Sequence, residues 1–168
     1  MDNLRIAIAV VALSATGLVY IANREDYRSP AYRDIGGVPT LGYGATDGVK
    51  MGDKTTPARA LARLRADASD FEVGVKRCVR VPVHQYEFDA YVALAYNVGI
   101  GAFCNSSNDP ENPTLVDLIN AQRYAEACER MKAFNKYRNP KTGKLEIAKG
   151  LQNAREKEYR MCIGEKVQ

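Results

Sequence analysis

Residues 25–44 read EDYRSPAYRDIGGVPTLGYG, a stretch dense in Gly, Pro and Tyr. The pair Gly36-Gly37 separates two short runs, 32–35 and 38–43, that favour extended structure. Two β-prone runs joined by a glycine turn are typical of a hairpin. We therefore predict a small β-hairpin at this position.

Three residues around this hairpin have side chains suited to glycoside hydrolysis. That reaction needs a protonated carboxyl to donate to the leaving oxygen and, in the inverting mode, a carboxylate to activate water on the opposite face of the sugar. Glu25 lies where a preceding helix should end, Asp34 lies on the hairpin, and Thr40 on the returning strand offers a hydroxyl to orient the water. Taken alone, the spacing E-x8-D-x5-T is a weak signal.

The rest of the chain carries helical patterns. Thr56-Pro57 is typical of a helix start, and apolar residues then recur at helical spacing to about Val75. Further helices are predicted over 84–96, 114–120, 122–135 and 150–162, with loops at 97–101, 105–113 and 138–150. The predicted fold is α+β and mostly helical, with a small β-hairpin lobe, a connecting helix and a helical C-terminal lobe.

Residues 6–22, IAIAVVALSATGLVYIA, contain no charged side chain. The segment is near the lower length limit for a membrane-spanning helix, and its many Ala, Gly, Ser and Thr residues weaken insertion. Three interpretations remain open: a cleaved signal peptide, a permanent anchor, or a segment that enters the membrane and later leaves it. A buried helix of a soluble protein is compatible with the third interpretation.

The chain has four cysteines and one histidine, His84, which argues against a zinc site. Two disulfides fit better in an oxidising compartment, although four cysteines allow three connectivities. Because one loop and one short helix separate Cys104 from Cys128, and Cys78 begins the lobe that Cys162 closes, we predict the pairs Cys104–Cys128 and Cys78–Cys162. No metal is expected. The absence of nucleic-acid recognition motifs argues against a nucleic-acid partner.

The stretch 25–44, together with motifs further along the chain, resembles the phage-type lysozymes, glycoside hydrolase family 24, and within them the signal-anchor-release endolysins. The matching residues are Tyr32-Arg33-Asp34, Gly37, Thr40-Leu41-Gly42-Tyr43-Gly44, Phe88-Asp89-Ala90, Tyr96-Asn97-Val98-Gly99, Ala102-Phe103-Cys104, Gly150-Leu151, Arg155 and Glu158. The sequence departs from the family at Ala45, where a His is common, and near Phe134, where a Trp is expected.

The resemblance implies a lysozyme-like two-lobe fold with Glu25, Asp34 and Thr40 as catalytic residues; it leaves the substrate-binding residues unassigned. It implies hydrolysis, without a cofactor, of the β-1,4 bond between N-acetylmuramic acid and N-acetylglucosamine in peptidoglycan, for host cell lysis. Two alternatives remain: a non-catalytic membrane-tethered wall-binding domain, and a lytic transglycosylase, which uses one acid and no water.

The same resemblance divides the chain into a signal-anchor-release segment, 1–24, and a catalytic domain, 25–168. The segment would hold the protein at the inner membrane, facing the periplasm, until a soluble monomer is released. The first cysteine is Cys78, so release by thiol exchange from an anchor cysteine is closed to this chain. We expect 6–22 to dock as the first helix of the released protein, with Leu13, Leu18 or Ile21 in the core.

Overall fold

The computed structural model describes residues 4–34, 37–107, 109–139 and 142–166. Two compact units are present. Ser14–Asp70 forms the first, here called the hairpin unit, and Met1–Leu13 together with Phe71–Gln168 forms the second, the helical unit. Helices dominate and the strands occur in two antiparallel pairs, which confirms the predicted α+β, mostly helical class.

The hairpin unit begins with helix α1, Ala15–Glu25. The side-chain oxygen of Ser14 accepts a hydrogen bond from the backbone N–H of Gly17 at 3.1 Å, so a serine cap starts this helix. Strands β1, Arg28–Arg33, and β2, Pro39–Gly42, then pair antiparallel. Of the predicted turn, Gly36 lies outside the described residues and Gly37 has a φ of +79°.

Helix α2, Pro57–Cys78, begins in the hairpin unit, where Thr56 Oγ1 accepts from the backbone N–H of Arg59 at 3.4 Å. Gly42 ends β2 with a φ of +67°, and a Cβ at this position would lie 2.8 Å from the Cβ of Ala60. Only a residue without a side chain allows the strand end to pack this closely on α2. The glycine therefore fixes where the hairpin meets the helix.

The helical unit is built around α3, Gln85–Val98, in which residues 87–95 are all buried. The other helices are α4 (Ile100–Phe103), α5 (Leu115–Asn120), α6 (Tyr124–Arg130), a 3-10 turn (Met131–Ala133) and α7 (Lys149–Cys162). Helix α7 packs on α3. Fully buried Arg155 and Glu158 of α7 pair at 3.0 Å, and Arg155 also donates to the side chain of Asn97 at 2.8 Å. This network joins the two helices through their polar groups.

A second hairpin overlaps the region predicted as the loop 138–150. Strand β3, Lys136–Arg138, pairs antiparallel with β4, Leu145–Ile147. Each strand has only three residues, which is too short for alternation in the sequence to stand out. The prediction of a loop over 138–150 in a helical C-terminal lobe is therefore wrong in this detail.

The predicted disulfide pairing is also wrong. The structure joins Cys78 to Cys104 and Cys128 to Cys162, not Cys104 to Cys128 or Cys78 to Cys162. Ile100, the first residue of α4, packs so closely on Gly74 of α2 that a Cβ at Gly74 would lie 2.4 Å from Ile100 Cγ1. This contact holds α4 near the end of α2, so Cys104, which follows α4, lies next to Cys78, the last residue of α2. Likewise, α7 packs against α6 and brings its last residue to Cys128.

The apolar N-terminal segment is helical only in its second half. Before α1 the chain runs along the helical unit, where Ile6 exchanges two backbone hydrogen bonds with Val83, at 2.7 and 2.9 Å. Leu13 donates its backbone N–H to the carboxylate of buried Glu72 at 3.1 Å. Leu13 and Ile21 are buried, as expected. No helix among the described residues has the length and apolar character needed to cross a bilayer.

Candidate active site

The candidate general acid, Glu25, is the last residue of α1. Asp26, which follows it, has a φ of +51°, so the chain leaves the helix abruptly towards β1. The Glu25 side chain is half-buried. Burial raises the pKa of this carboxyl; nearby Arg24 opposes the rise, and Asp26 adds to it. A carboxyl of this kind holds its proton to higher pH than an exposed glutamate, as a general acid requires.

The turn at the end of β2 packs beside the Glu25 side chain. Leu41 and Ala45 exchange backbone hydrogen bonds at 2.9 and 3.1 Å, which closes the turn tightly. Within it, Gly44 has a φ of +83°, and a Cβ there would lie 3.1 Å from Glu25 Oε2. The backbone of Gly44 thus lies directly against the Glu25 carboxyl, and a side chain at position 44 would crowd that carboxyl.

Asp34 and Thr40 are brought together by the peptide groups of one residue, Val38. The backbone N–H of Val38 donates to Asp34 Oδ1 at 2.8 Å, and the Thr40 hydroxyl donates to the Val38 carbonyl at 3.0 Å. Asp34 is exposed, whereas Thr40 is buried, with 3% of its surface accessible. The hairpin therefore holds an exposed carboxylate and an oriented hydroxyl at its turn, in the same unit as Glu25.

Two tyrosines beside Glu25 and Gly44 in the sequence were not predicted as site residues. The rings of Tyr27 and Tyr43 lie 5.6 Å apart and are tilted, and the Tyr27 hydroxyl donates to the Thr55 carbonyl at 2.8 Å. Gly44 was likewise matched only as part of a motif, without a role. Its signal in the sequence was the second glycine of Gly42-Tyr43-Gly44, a residue type favoured where backbone approaches another group closely.

The described residues include no group of three or more His, Cys, Asp or Glu side chains suited to holding a metal ion. The side chains of Glu25, Asp34 and Thr40 offer two carboxyl groups and a hydroxyl.

Comparison with known proteins agrees with this chemistry. The sequence profile of the phage lysozyme family matches residues 22–158. The SAR-endolysin of Pseudomonas phage phiKMV is 36% identical over 155 residues, which cover 92% of this chain and 89% of that protein. The chain belongs to the phage lysozyme family.

Solved structures agree with that assignment. The endolysin from Escherichia coli O157:H7 phage FAHEc1 superposes with a TM-score of 0.83 at 34% identity, covering 96% of this chain and 97% of the other. The active form of the P1 phage endolysin Lyz shares the fold, with a TM-score of 0.75 at 24% identity over 95% and 94% of the two chains. The expected lysozyme-like fold is confirmed.

Membership of this family makes the chain a glycoside hydrolase of the lysozyme type, with peptidoglycan as its substrate and lysis as its role. The alternative of a non-catalytic wall-binding domain is not favoured. The roles of Glu25, Asp34 and Thr40 remain predictions, since family membership by itself assigns no role to an individual residue.

Proposed function

We propose that Glu25 is the general acid of this lysozyme and that Asp34, helped by Thr40, activates the attacking water. The bond cleaved is the β-1,4 bond between N-acetylmuramic acid and N-acetylglucosamine, and the anomeric configuration is inverted. The observation that carries the proposal is the contrast between the two carboxyls. Glu25 is half-buried with a raised pKa, whereas Asp34 is exposed and accepts a backbone hydrogen bond.

In this mechanism, each proton has a defined source and destination. Glu25 donates its proton to the glycosidic oxygen as the bond to the anomeric carbon breaks. A water attacks the same carbon from the opposite face and gives a proton to Asp34. The Thr40 hydroxyl already donates to Val38, so its oxygen is left to accept a hydrogen bond from that water. Exchange with solvent then restores both carboxyl groups.

The test is the variant Glu25→Gln, with Asp26→Asn as its matched control. Glutamine keeps the shape of the side chain but has no acidic proton, so lysis of permeabilised Gram-negative cells should be lost while folding and pelleting with insoluble peptidoglycan are retained. Burial is the main cause of the raised pKa of Glu25 and the exposed Asp26 contributes least, so Asp26→Asn should still lyse cells. Lysis by Glu25→Gln at the wild-type rate would refute the assignment.

We further propose that residues 1–24 tether the new protein to the inner membrane, facing the periplasm, and that it is then released there uncleaved as a soluble monomer. The uncharged segment 6–22 supports insertion, and its many small residues support a weak hold. The backbone contacts of Ile6 and Leu13 with the helical unit supply an alternative site for the segment once it has left the bilayer.

Release is tested by raising the hydrophobicity of positions that are exposed in the folded protein, namely Ala12, Ala15 and Thr16. Leucine at all three should keep the protein in the membrane fraction and delay lysis, because the side chains strengthen insertion without disturbing the released fold. Serine at the same positions is the matched control and should be released normally. Timely release and lysis by the leucine variant would overturn the proposal.

A further inference from the structure

We propose that the β3–β4 hairpin is a docking surface for a bilayer rich in anionic phospholipid. In its register Lys136 lies opposite Ile147, and Arg138 lies opposite Leu145. Residues directly opposite each other in an antiparallel pair project from the same face of the sheet. One face therefore carries two cations and two aliphatic side chains. This set of four residues is called the basic face below.

The aliphatic members of the basic face are open to solvent. Leu145 is 62% exposed and Ile147 is 60% exposed, which places them among the most exposed large hydrophobic residues in the chain. Single exposed aliphatic residues are common, but two on one small face, framed by cations, make a local amphipathic surface. No residue that the structure describes covers them.

The cations of the basic face form no ion pair with an acid of the described residues. Among the described residues, the ion pairs include neither Lys136 nor Arg138; Arg138 instead donates to the Gly143 carbonyl at 2.5 Å. Residues 136–149 hold five basic residues and one acid, so their formal net charge equals the +4 of the whole chain. Residues 136–149 are therefore a strongly basic segment, although residues 54–65 carry the same formal net charge.

The single acid of that segment, Glu146, belongs to the other face. It pairs with Tyr137 across the hairpin and alternates with Leu145 and Ile147 along β4. The side chains of Asn139 and Thr142 each donate to it at 2.9 Å, and these hydrogen bonds lower its pKa. Glu146 thus stabilises the turn and leaves the charge of the basic face intact.

This combination fits a lipid surface better than a wall polymer. Lys and Arg gain free energy near anionic headgroups, and neighbouring aliphatic side chains gain by entering the acyl boundary. A polysaccharide or wall peptide is polar and gives exposed Leu and Ile no apolar environment. Of these partners, only an anionic bilayer therefore binds both the cations and the aliphatic side chains of the basic face.

The chain has no tryptophan, so a single introduced one reports on its own surroundings. The folded full-length variant Ile147→Trp is mixed with vesicles of phosphatidylglycerol and phosphatidylcholine in about equal parts. We expect a blue shift of emission that is reversed by salt and absent with pure phosphatidylcholine. Met51→Trp, at an exposed position of the hairpin unit, is the control for binding through other regions and should show no shift.

The charge contribution is measured in the Ile147→Trp background. Lys136→Gln with Arg138→Gln should weaken partitioning about 30-fold, since each cation contributes about 1 kcal/mol near an anionic surface. Lys50→Gln with Lys54→Gln, which removes the same charge from exposed positions elsewhere, should have a much smaller effect. Three results would overturn the proposal: no shift with anionic vesicles, an equal shift for Met51→Trp, or a shift with purified peptidoglycan but not with vesicles.

Discussion

At Gly44, one added methyl group would reach the carboxyl of Glu25, 3.1 Å away. Gly44→Ala should therefore shift the carboxyl by a few tenths of an ångström and lower kcat on soluble glycan fragments, by less than the factor on the order of 10² that misplacing a reacting group by about 1 Å can cost. KM should change little, since the acid acts in the transition state. Steady-state kinetics measure both constants.

Gly48→Ala is the matched control for this variant. Gly48 has a φ of +66°, but a Cβ there meets nothing within 4 Å. Both substitutions place alanine in the left-handed region at a cost of about 1–2 kcal/mol in unfolding free energy, and only Gly44→Ala should reduce kcat. Equal kinetic losses would mean that strain in the turn, rather than displacement of Glu25, is responsible.

Glu25 should also make stability depend on pH in an unusual direction for an acid. Its pKa is raised in the folded protein by burial, so the folded state binds the proton more tightly than the unfolded chain. Stability should therefore fall as pH rises from the ordinary glutamate pKa through the raised value. Glu25→Gln should accordingly have a higher Tm than the wild type at pH 7.

The same variant measured below the ordinary glutamate pKa provides the internal control for this effect. At about pH 3 the wild-type carboxyl is protonated in both the folded and the unfolded state, and the difference in Tm should vanish. A glutamine variant less stable than wild type at pH 7 would contradict the inference that burial of Glu25 is costly.

At the level of helices, the two disulfides join elements that are distant in sequence. They span 26 and 34 residues, so restriction of the unfolded chain predicts a similar stabilisation for each, about 3–4 kcal/mol. Cys128 and Cys162 are buried, whereas Cys78 and Cys104 are half-buried. The double alanine variant of the buried pair should therefore lose more stability in urea unfolding, because it also leaves a cavity. Crosslinked peptides joining Cys104 to Cys128 would contradict this account.

The disulfides and the hairpins also show what the sequence could predict. Helices α2, α3, α5 and α7 and the hairpin β1–β2 were predictable, because caps, glycines and periodicity act within a few residues. The cysteine pairing depended on Gly74 receiving Ile100 and on α7 packing against α6, which are contacts between distant segments. No local pattern encodes such contacts. Strands β3 and β4 were missed because three residues give too little alternation.

At the scale of the whole molecule, the N-terminal segment shows the difference between hydropathy and folded structure. Its apolar character predicted one helix over 6–22, but its first half instead bonds to Val83 and Glu72, which lie far along the chain. Hydropathy measures affinity for a bilayer and says nothing about such partners. In the site, residue types and spacing made Glu25, Asp34 and Thr40 candidates and the family resemblance selected them, while the contact of Gly44 with Glu25 required the structure.

With Glu25 as the acid and water activated at Asp34 and Thr40, hydrolysis proceeds by a single displacement. Proton NMR of the first products formed from a soluble peptidoglycan fragment tests it most directly. A single displacement produces new reducing ends that are initially in the α configuration, because water attacks the face opposite the leaving group of a β-linked sugar. Products initially in the β configuration, or an anhydro sugar formed without water, would contradict it.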